Sequence, residues 1–211
     1  PLTSLKSASE ILHETEEPAQ RSKLIGILNH DVQRIERLIT DYSQMLKDEV
    51  ALSKEKMRKI NLKLIAKSVV DDFNNIYEAK RGIKIKLIDN KNLEEYLING
   101  IENRIEQIIA NLLDNSISFS NDNQEILVEI FKDSEKKTFL KVMDQGRGFK
   151  EKNTDKIFSR FYSNRPDKFG EHSGLGLNIV KNLVDLHGAT ISASNNREQK
   201  GANVEIIFPK I

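Results

Sequence analysis

Phe139-Leu-Lys-Val-Met-Asp-Gln-Gly-Arg-Gly148 decides how this chain is read. A strand-like run, Phe139 to Met143, ends in Asp144, and Gly146 and Gly148 follow at once. Glycine at these positions lets backbone approach a ligand closely. Downstream, Ser173-Gly-Leu-Gly-Leu177 opens an apolar-periodic helix predicted over Asn178 to His187, and glycines there let amide N–H groups face phosphate. Upstream, Arg104 to Phe119 reads as a helix that carries Asn111 and Asn115 one turn apart, on one face. A buried carboxylate can accept from an exocyclic amine, and an amide oxygen can ligate Mg²⁺. Together the three segments suit a nucleotide site. Taken singly, each also fits something plainer: an Asp-x-Gly turn, a solvent-facing asparagine pair, a helix start with permissive glycines.

Working outward, residues 1 to 17 carry a helical stripe of Leu2, Leu5, Ala8, Ile11 and Leu12, broken by Glu14-Thr-Glu-Glu-Pro18. A second stripe runs through Leu24, Leu28, Asp31, Ile35, Leu38, Tyr42 and Met45 at heptad spacing, with Ile25, Val32, Ile39 and Leu46 as a parallel row. This predicts an antiparallel helical hairpin over 1–50. Its apolar face is too wide to bury itself; a homodimer closing a four-helix bundle or a stalk packed on the rest of the chain would cover it. A charged linker follows at 51–57. From 58 to 211 strands are expected at Arg58–Leu62, Ile83–Leu87, Tyr96–Ile98, Ile126–Phe131, Thr138–Met143, Thr190–Ser194 and Asn203–Phe208, with a turn at Asn99-Gly100. Helices are expected at Leu64–Ala79 and the two segments above. The fold class is α+β: a helical hairpin, then an α/β sandwich with helices segregated from a mostly antiparallel mixed sheet. Gly148 to Gly174 is about 25 residues with little periodicity, long for a loop and expected as a lid anchored by Ile157, Phe158, Phe161 and Tyr162.

Composition narrows the function classes. The 33 basic and 32 acidic residues balance, which shows no nucleic-acid or polybasic-membrane footprint. There is no cysteine, so disulfides and thiolate metal sites are excluded. No apolar run approaches the roughly 20 residues that span a bilayer. The chain starts at Pro1 and reads as a piece of something longer. His13 and His30 read as partly exposed helix histidines. His187, before Gly188, reads as a helix C-terminal residue favoured by the dipole. His172 is left unassigned.

Five motifs in order resemble the ATP-binding domain of sensor histidine kinases, of the gyrase/Hsp90/histidine-kinase type. They are Asn111-Leu-Leu-Asp-Asn115, Asp144-x-Gly146-x-Gly148, Ile157-Phe-Ser-Arg-Phe-Tyr162, Gly174-Leu-Gly-Leu177 and Gly201-Ala-Asn203. With the hairpin, the resemblance covers nearly the whole chain. It implies that Asp144 accepts from the adenine amino group, that Asn115 ligates Mg²⁺ with Asn111 in support, and that Phe119 stacks. It implies further ATP contacts from Gly146, Gly148, Phe158, Arg160, Gly174, Leu175, Gly176, Leu177 and Gly201. Pro1-Leu-Thr-Ser-Leu5 is similar to the end of the kinase H box, which places the phosphoacceptor histidine a few residues before Pro1 and leaves no catalytic residue in this chain. A response-regulator receiver domain is the implied partner, and of the two ways to cover the hairpin the resemblance implies the homodimer. It also implies membrane contact only through missing upstream segments, and a cytoplasmic location for this part.

Two departures bear on function. Hydrolytic relatives carry a glutamate general base where this chain has Asn111, which cannot take a proton; that favours transfer to an acceptor bringing its own basicity. Many kinases read Asn-Ala-x-Lys-Tyr where this chain has Asn115-Ser-Ile-Ser118-Phe119, so either another cation replaces the lysine, with Arg160, Arg165 and Lys168 as candidates, or affinity drops. The Ser-Phe variant, with Phe161-Tyr-Ser-Asn-Arg-Pro166, is similar to ChvG-type kinases. The readings left standing are a histidine kinase core, an ATP-binding dimerisation or scaffold module without transfer, and, with less support, a serine kinase of the anti-sigma type or a hydrolytic ATPase.

Overall fold

The computed structural model describes residues 2–52, 55–89, 95–150, 154–160, 162, 174–196 and 200–211. Contacts divide the chain into two units, one built on the first two helices and one on the described residues after residue 53.

In the first unit, α1 (Leu2–Glu14) and α2 (Pro18–Leu52) pack against each other. Pro18 opens α2, where a first-turn N–H would have no helical partner. Arg21 reaches back and donates through Nη1 to the carbonyls of Leu12 (3.1 Å) and Thr15 (2.8 Å), satisfying groups that the end of α1 leaves open. Ala8 is buried, and Leu24, Leu28 and Ile35 are half-buried. Ile11, Ile25, Val32 and Ile39 remain exposed. The helix α2 runs to Leu52, two residues into the segment expected as a linker. Side chains of Leu38, Met45 and Leu46 lie outside the described ones.

The second unit begins with β1 (Arg58–Asn61) and α3 (Leu62–Arg81). The side chain of Asn61 caps α3 by accepting from Lys63 N at 3.1 Å, and Gly82, at φ +63°, ends it. Then follow β2 (Lys84–Asp89), β3 (Leu97–Gly100), α4 (Glu102–Phe119), β4 (Glu125–Lys132), β5 (Thr138–Met143), α5 (Gly176–Leu186), β6 (Thr190–Asn195) and β7 (Ala202–Phe208). The main sheet has the order β2-β4-β5-β7-β6, with β2 and β4 parallel and every other pair antiparallel. Each strand alternates. Ile126, Val128 and Ile130 of β4, Leu140 and Val142 of β5 and Val204, Ile206 and Phe208 of β7 are buried, and α3, α4 and α5 form the layer that packs with the sheet.

Two details differ from the sequence reading. Asn99 and Gly100 are not a turn: they end β3 and pair with Lys59 and Arg58 of β1 in a separate two-stranded sheet. A Cβ at Gly100 would lie 3.1 Å from both the His187 ring and Ile60 Cδ1. His187 itself is buried and is not a dipole-favoured cation. Its Nδ1 pairs with the Leu183 carbonyl at 2.6 Å, so the proton sits on Nδ1 and Nε2 accepts from Ile101 N at 3.1 Å. Ile101 precedes α4 and has no side-chain cap of its own, so His187 holds that end of the helix. The opposite end is held by Arg81, which donates to the carbonyls of Ile117 (2.9 Å) and Ser120 (2.7 Å) and pairs with Asp122.

Burial lowers the His187 pKa from its ordinary 6.5, with the Leu183 carbonyl opposing the shift. The unfolded chain therefore binds a proton at a higher pH than the folded one, and stability is lost as pH falls below the unfolded value. Acidification from about pH 7 to about pH 5.5 should lower the stability of the natural chain more than that of a His187→Gln variant, which does not titrate. Urea titrations at both pH values check this; parallel losses would assign the pH dependence elsewhere.

Candidate functional site

The site is built around the end of β5. Asp144 is 4 % exposed, at a position where a carboxylate must find donors. Its Oδ1 accepts from Gly146 N at 2.9 Å and from Ala202 N at 3.1 Å, and Ser116 of α4 adds a hydroxyl hydrogen bond. Desolvation raises its pKa above the usual carboxylate range; the Ala202 and Gly146 amides and the Ser116 hydroxyl oppose that rise. A second tie, from Asp144 N to the Ala202 carbonyl at 3.0 Å, locks the end of β5 to the start of β7.

The glycines are explained by what surrounds them. A Cβ on Gly146 would lie 2.5 Å from the Phe119 carbonyl oxygen, so this turn sits directly on the end of α4. At Gly201 a Cβ would meet the Asp144 carbonyl oxygen at 1.8 Å, and φ is +143°. Gly148 (φ +74°) faces the Asn195 amide oxygen. Asn195 then fixes the next residue from both sides, accepting from Phe149 N at 2.6 Å and donating to its carbonyl at 2.9 Å.

Asn111 and Asn115 are half-buried on α4. Gly176 starts α5, and its Cβ direction lies 3.6 Å from the Asn111 amide oxygen, so the structure brings the asparagine helix and the second glycine motif together. Gly174 has φ +72°, Leu175 is fully buried and Leu177 half-buried. The segment expected as a lid contains a short 3-10 helix, Thr154–Phe158, in which Ile157 and Phe158 are buried. Thr154 donates to the Ala193 carbonyl at 2.7 Å, and Asn178 of α5 donates to the Phe158 carbonyl at 2.9 Å. Arg160 is exposed and Tyr162 half-buried, whereas Phe161, Arg165, Lys168, His172 and Ser173 lie outside the described residues.

Three contributors were missed by the sequence reading. Ser116 carried a signal: a hydroxyl among Leu112, Leu113 and Ile117 on the buried face of α4 needs a partner. Asn178 and Asn195 had none, because their partners are backbone groups far away in sequence. Ser118 is 5 % exposed and its hydroxyl donates to the Asp114 carbonyl at 2.7 Å, a bond within α4 itself. Among the described residues there is no group of three or more acids or histidines that could hold a metal ion.

The family model described as "Histidine kinase-, DNA gyrase B-, and HSP90-like ATPase" matches residues 100–211. Sensor protein ChvG of Rhizobium meliloti (strain 1021) is 34% identical over 201 residues, covering 92% of this chain and 35% of that protein. The chain thus spans about a third of the length of that relative. The catalytic domain of the histidine kinase ThkA, in a nucleotide-free form, superposes with a TM-score of 0.63 at 25% identity, over 74% of this chain and 99% of that one. ThkA in complex with the response regulator TrrA gives a TM-score of 0.66 at 22% identity, over 100% of this chain and 60% of that one; it supports the fold.

Because a Cβ at Gly201 would meet backbone rather than a flexible side chain, Gly201→Ala must displace Asp144 or β7. The substitution should cost roughly 2 kcal/mol or more of stability. Thermal unfolding against a Gly26→Ala control, whose Cβ meets nothing within 4 Å, checks it. Equal midpoints would refute the close approach.

Proposed function

Because the chain belongs to the histidine kinase-, DNA gyrase B- and HSP90-like ATPase family and is ChvG-like among two-component sensor histidine kinases, we propose that it is the catalytic core that binds Mg²⁺-ATP for phosphoryl transfer to a histidine. The observation that carries the reading is the buried Asp144 carboxylate at a strand end, walled by glycines and by the asparagine helix. One carboxylate oxygen is taken up by backbone N–H groups, and the carboxylate as a whole is acceptor-only when ionised, which suits the amino group of adenine. The amide N–H groups at the start of α5 suit the phosphates, and Asn111 stands beside them. Asn115, with Asn111 in support, fits Mg²⁺, which takes few protein oxygens and shares the rest of its shell with phosphate and water. Bound there, the ion would neutralise charge developing on the phosphates. Phe119, Phe158, Arg160, Leu175 and Leu177 complete the proposed pocket.

In the proposed reaction the bond from the terminal phosphorus to the bridging oxygen of ADP breaks and a bond to an imidazole nitrogen forms. The proposed acceptor is a histidine of the helical bundle in the parent protein. A response-regulator aspartate then takes the phosphoryl group. The residues of this chain orient ATP and exclude water, and Asn111 supplies no base for hydrolysis. Residues 1–50 are proposed to dimerise. Ile25, Val32 and Ile39, seven residues apart, are 45, 45 and 61 % exposed in the single chain, an apolar row with nothing over it among the described residues. Among the described residues no helix is long and apolar enough to cross a membrane, and a cytoplasmic location beneath a membrane-anchored parent is proposed from the relatives. The second reading, a nucleotide-gated scaffold without transfer, is favoured only by the absence of a cation at Ser118.

Asp144→Ala should abolish ATP binding by this chain, read by calorimetry; undiminished affinity would remove the pocket from consideration. The natural full-length parent, given γ-labelled ATP and Mg²⁺, should acquire acid-labile label, and the Asp144→Ala parent should acquire none. ATP binding without any label on the parent would select the scaffold. Ile39→Asp should halve the mass seen in sedimentation, and an unaltered mass would reject the exposed row as the dimer contact.

A further inference from the structure

Position 118 raises a question of charge. Its serine is buried, with its hydroxyl committed to the Asp114 carbonyl, so nothing positive projects from that turn of α4 toward a nucleotide. The neighbouring Phe119 ring, however, has a cation over it. The Arg147 guanidinium lies 5.2 Å from the ring centroid, and Arg147 is exposed. Its backbone is immobilised on both sides. Gly146 rests against the Phe119 carbonyl oxygen with no room for a Cβ, and Gly148 rests against the Asn195 amide, with φ +74°. Asn195 in turn clamps Phe149 through two hydrogen bonds. A long cationic side chain thus springs from a rigid turn three residues after Asp144 and lies on the aromatic ring that ends the asparagine helix.

Resting on the nucleotide reading above, we infer that Arg147 contacts the bound nucleotide and supplies the positive charge that Ser118 does not. Cation and ring hold each other, so the guanidinium loses little freedom on binding. Its planar fork of donors can take two phosphate oxygens at once, and it replaces from the glycine turn what a lysine at 118 would supply from the helix.

Calorimetry with this chain tests the inference, using ATP and ADP as probes at two salt concentrations on the natural protein, Arg147→Gln, Arg147→Lys and Asp144→Ala. Arg147→Gln should weaken ATP about tenfold, weaken ADP by a smaller factor and flatten the salt dependence. Arg147→Lys should recover most of the ATP affinity. Unaltered ATP affinity in Arg147→Gln, or equal losses for ATP and ADP, would overturn the charge role while Asp144→Ala still abolishes binding. If Asp144→Ala binds normally, the nucleotide site itself is wrong and the inference falls with it.

Discussion

A carboxylate taken out of water at the end of β5 is the constraint around which the second unit is arranged. Asp144 is tolerable there only because Gly146 N, Ala202 N and the Ser116 hydroxyl converge on it. Each of those donors imposes something on the chain that carries it. The Ala202 amide arrives only if β7 starts flush against Asp144, which is why residue 201 has no room for a side chain. The Gly146 amide turns back only if residue 146 lies on the Phe119 carbonyl, which ties the turn to α4. The Ser116 hydroxyl requires α4 in a fixed rotation over the sheet. Three separate segments are thus registered to one another by a single charged group.

Rotation and position of α4 are set at its ends. Arg81, at the end of α3, satisfies carbonyls of its last turn, and His187, just past α5, satisfies the amide that precedes its first. Helix termini are where backbone groups lack partners, so side chains from both neighbouring helices can hold α4 without touching its asparagine face. The buried, neutral histidine and the extended arginine serve different needs: one must accept, the other must donate several bonds in a fork. Between these pins, the apolar residues Ile105, Ile108, Ile109, Leu112 and Leu113 fill the core, and Asn111 is left toward the start of α5.

Much of this frame could be read from the amino acids. β5 was placed at its observed bounds, because Thr138 to Met143 is flanked by a charged hairpin and an Asp-x-Gly turn. The helices were found from apolar periodicity, and the glycine motifs from spacing. What failed was either non-local or ambiguous in composition. Asn99-Gly100 has the composition of a turn, yet pairing with β1 makes it strand. His187 before a glycine looks like a helix-end cation, and only its distant partner, Ile101 N, reveals an acceptor. Ser116 and Arg147 were overlooked because each lies between residues of a recognised motif, and a motif read by its fixed letters draws attention away from the variable ones.

Those variable letters carry the division of labour proposed here. A pocket that must bind a polyanion needs compensation somewhere, but the helix that presents Asn111 and Asn115 offers none at Ser118. Moving the charge to the glycine turn keeps it close, since Gly146 and the end of α4 touch, and frees position 118 to be buried. The same economy applies at Asn111. An amide there can orient a ligand but not activate water, so an ATP-binding domain built this way must look to a second group for its nucleophile. In the proposed parent that group is an imidazole on the helical unit, which leaves Ile25, Val32 and Ile39 exposed in the single chain. Binding would then reside in one unit and the acceptor in the other, so that neither unit alone completes the transfer.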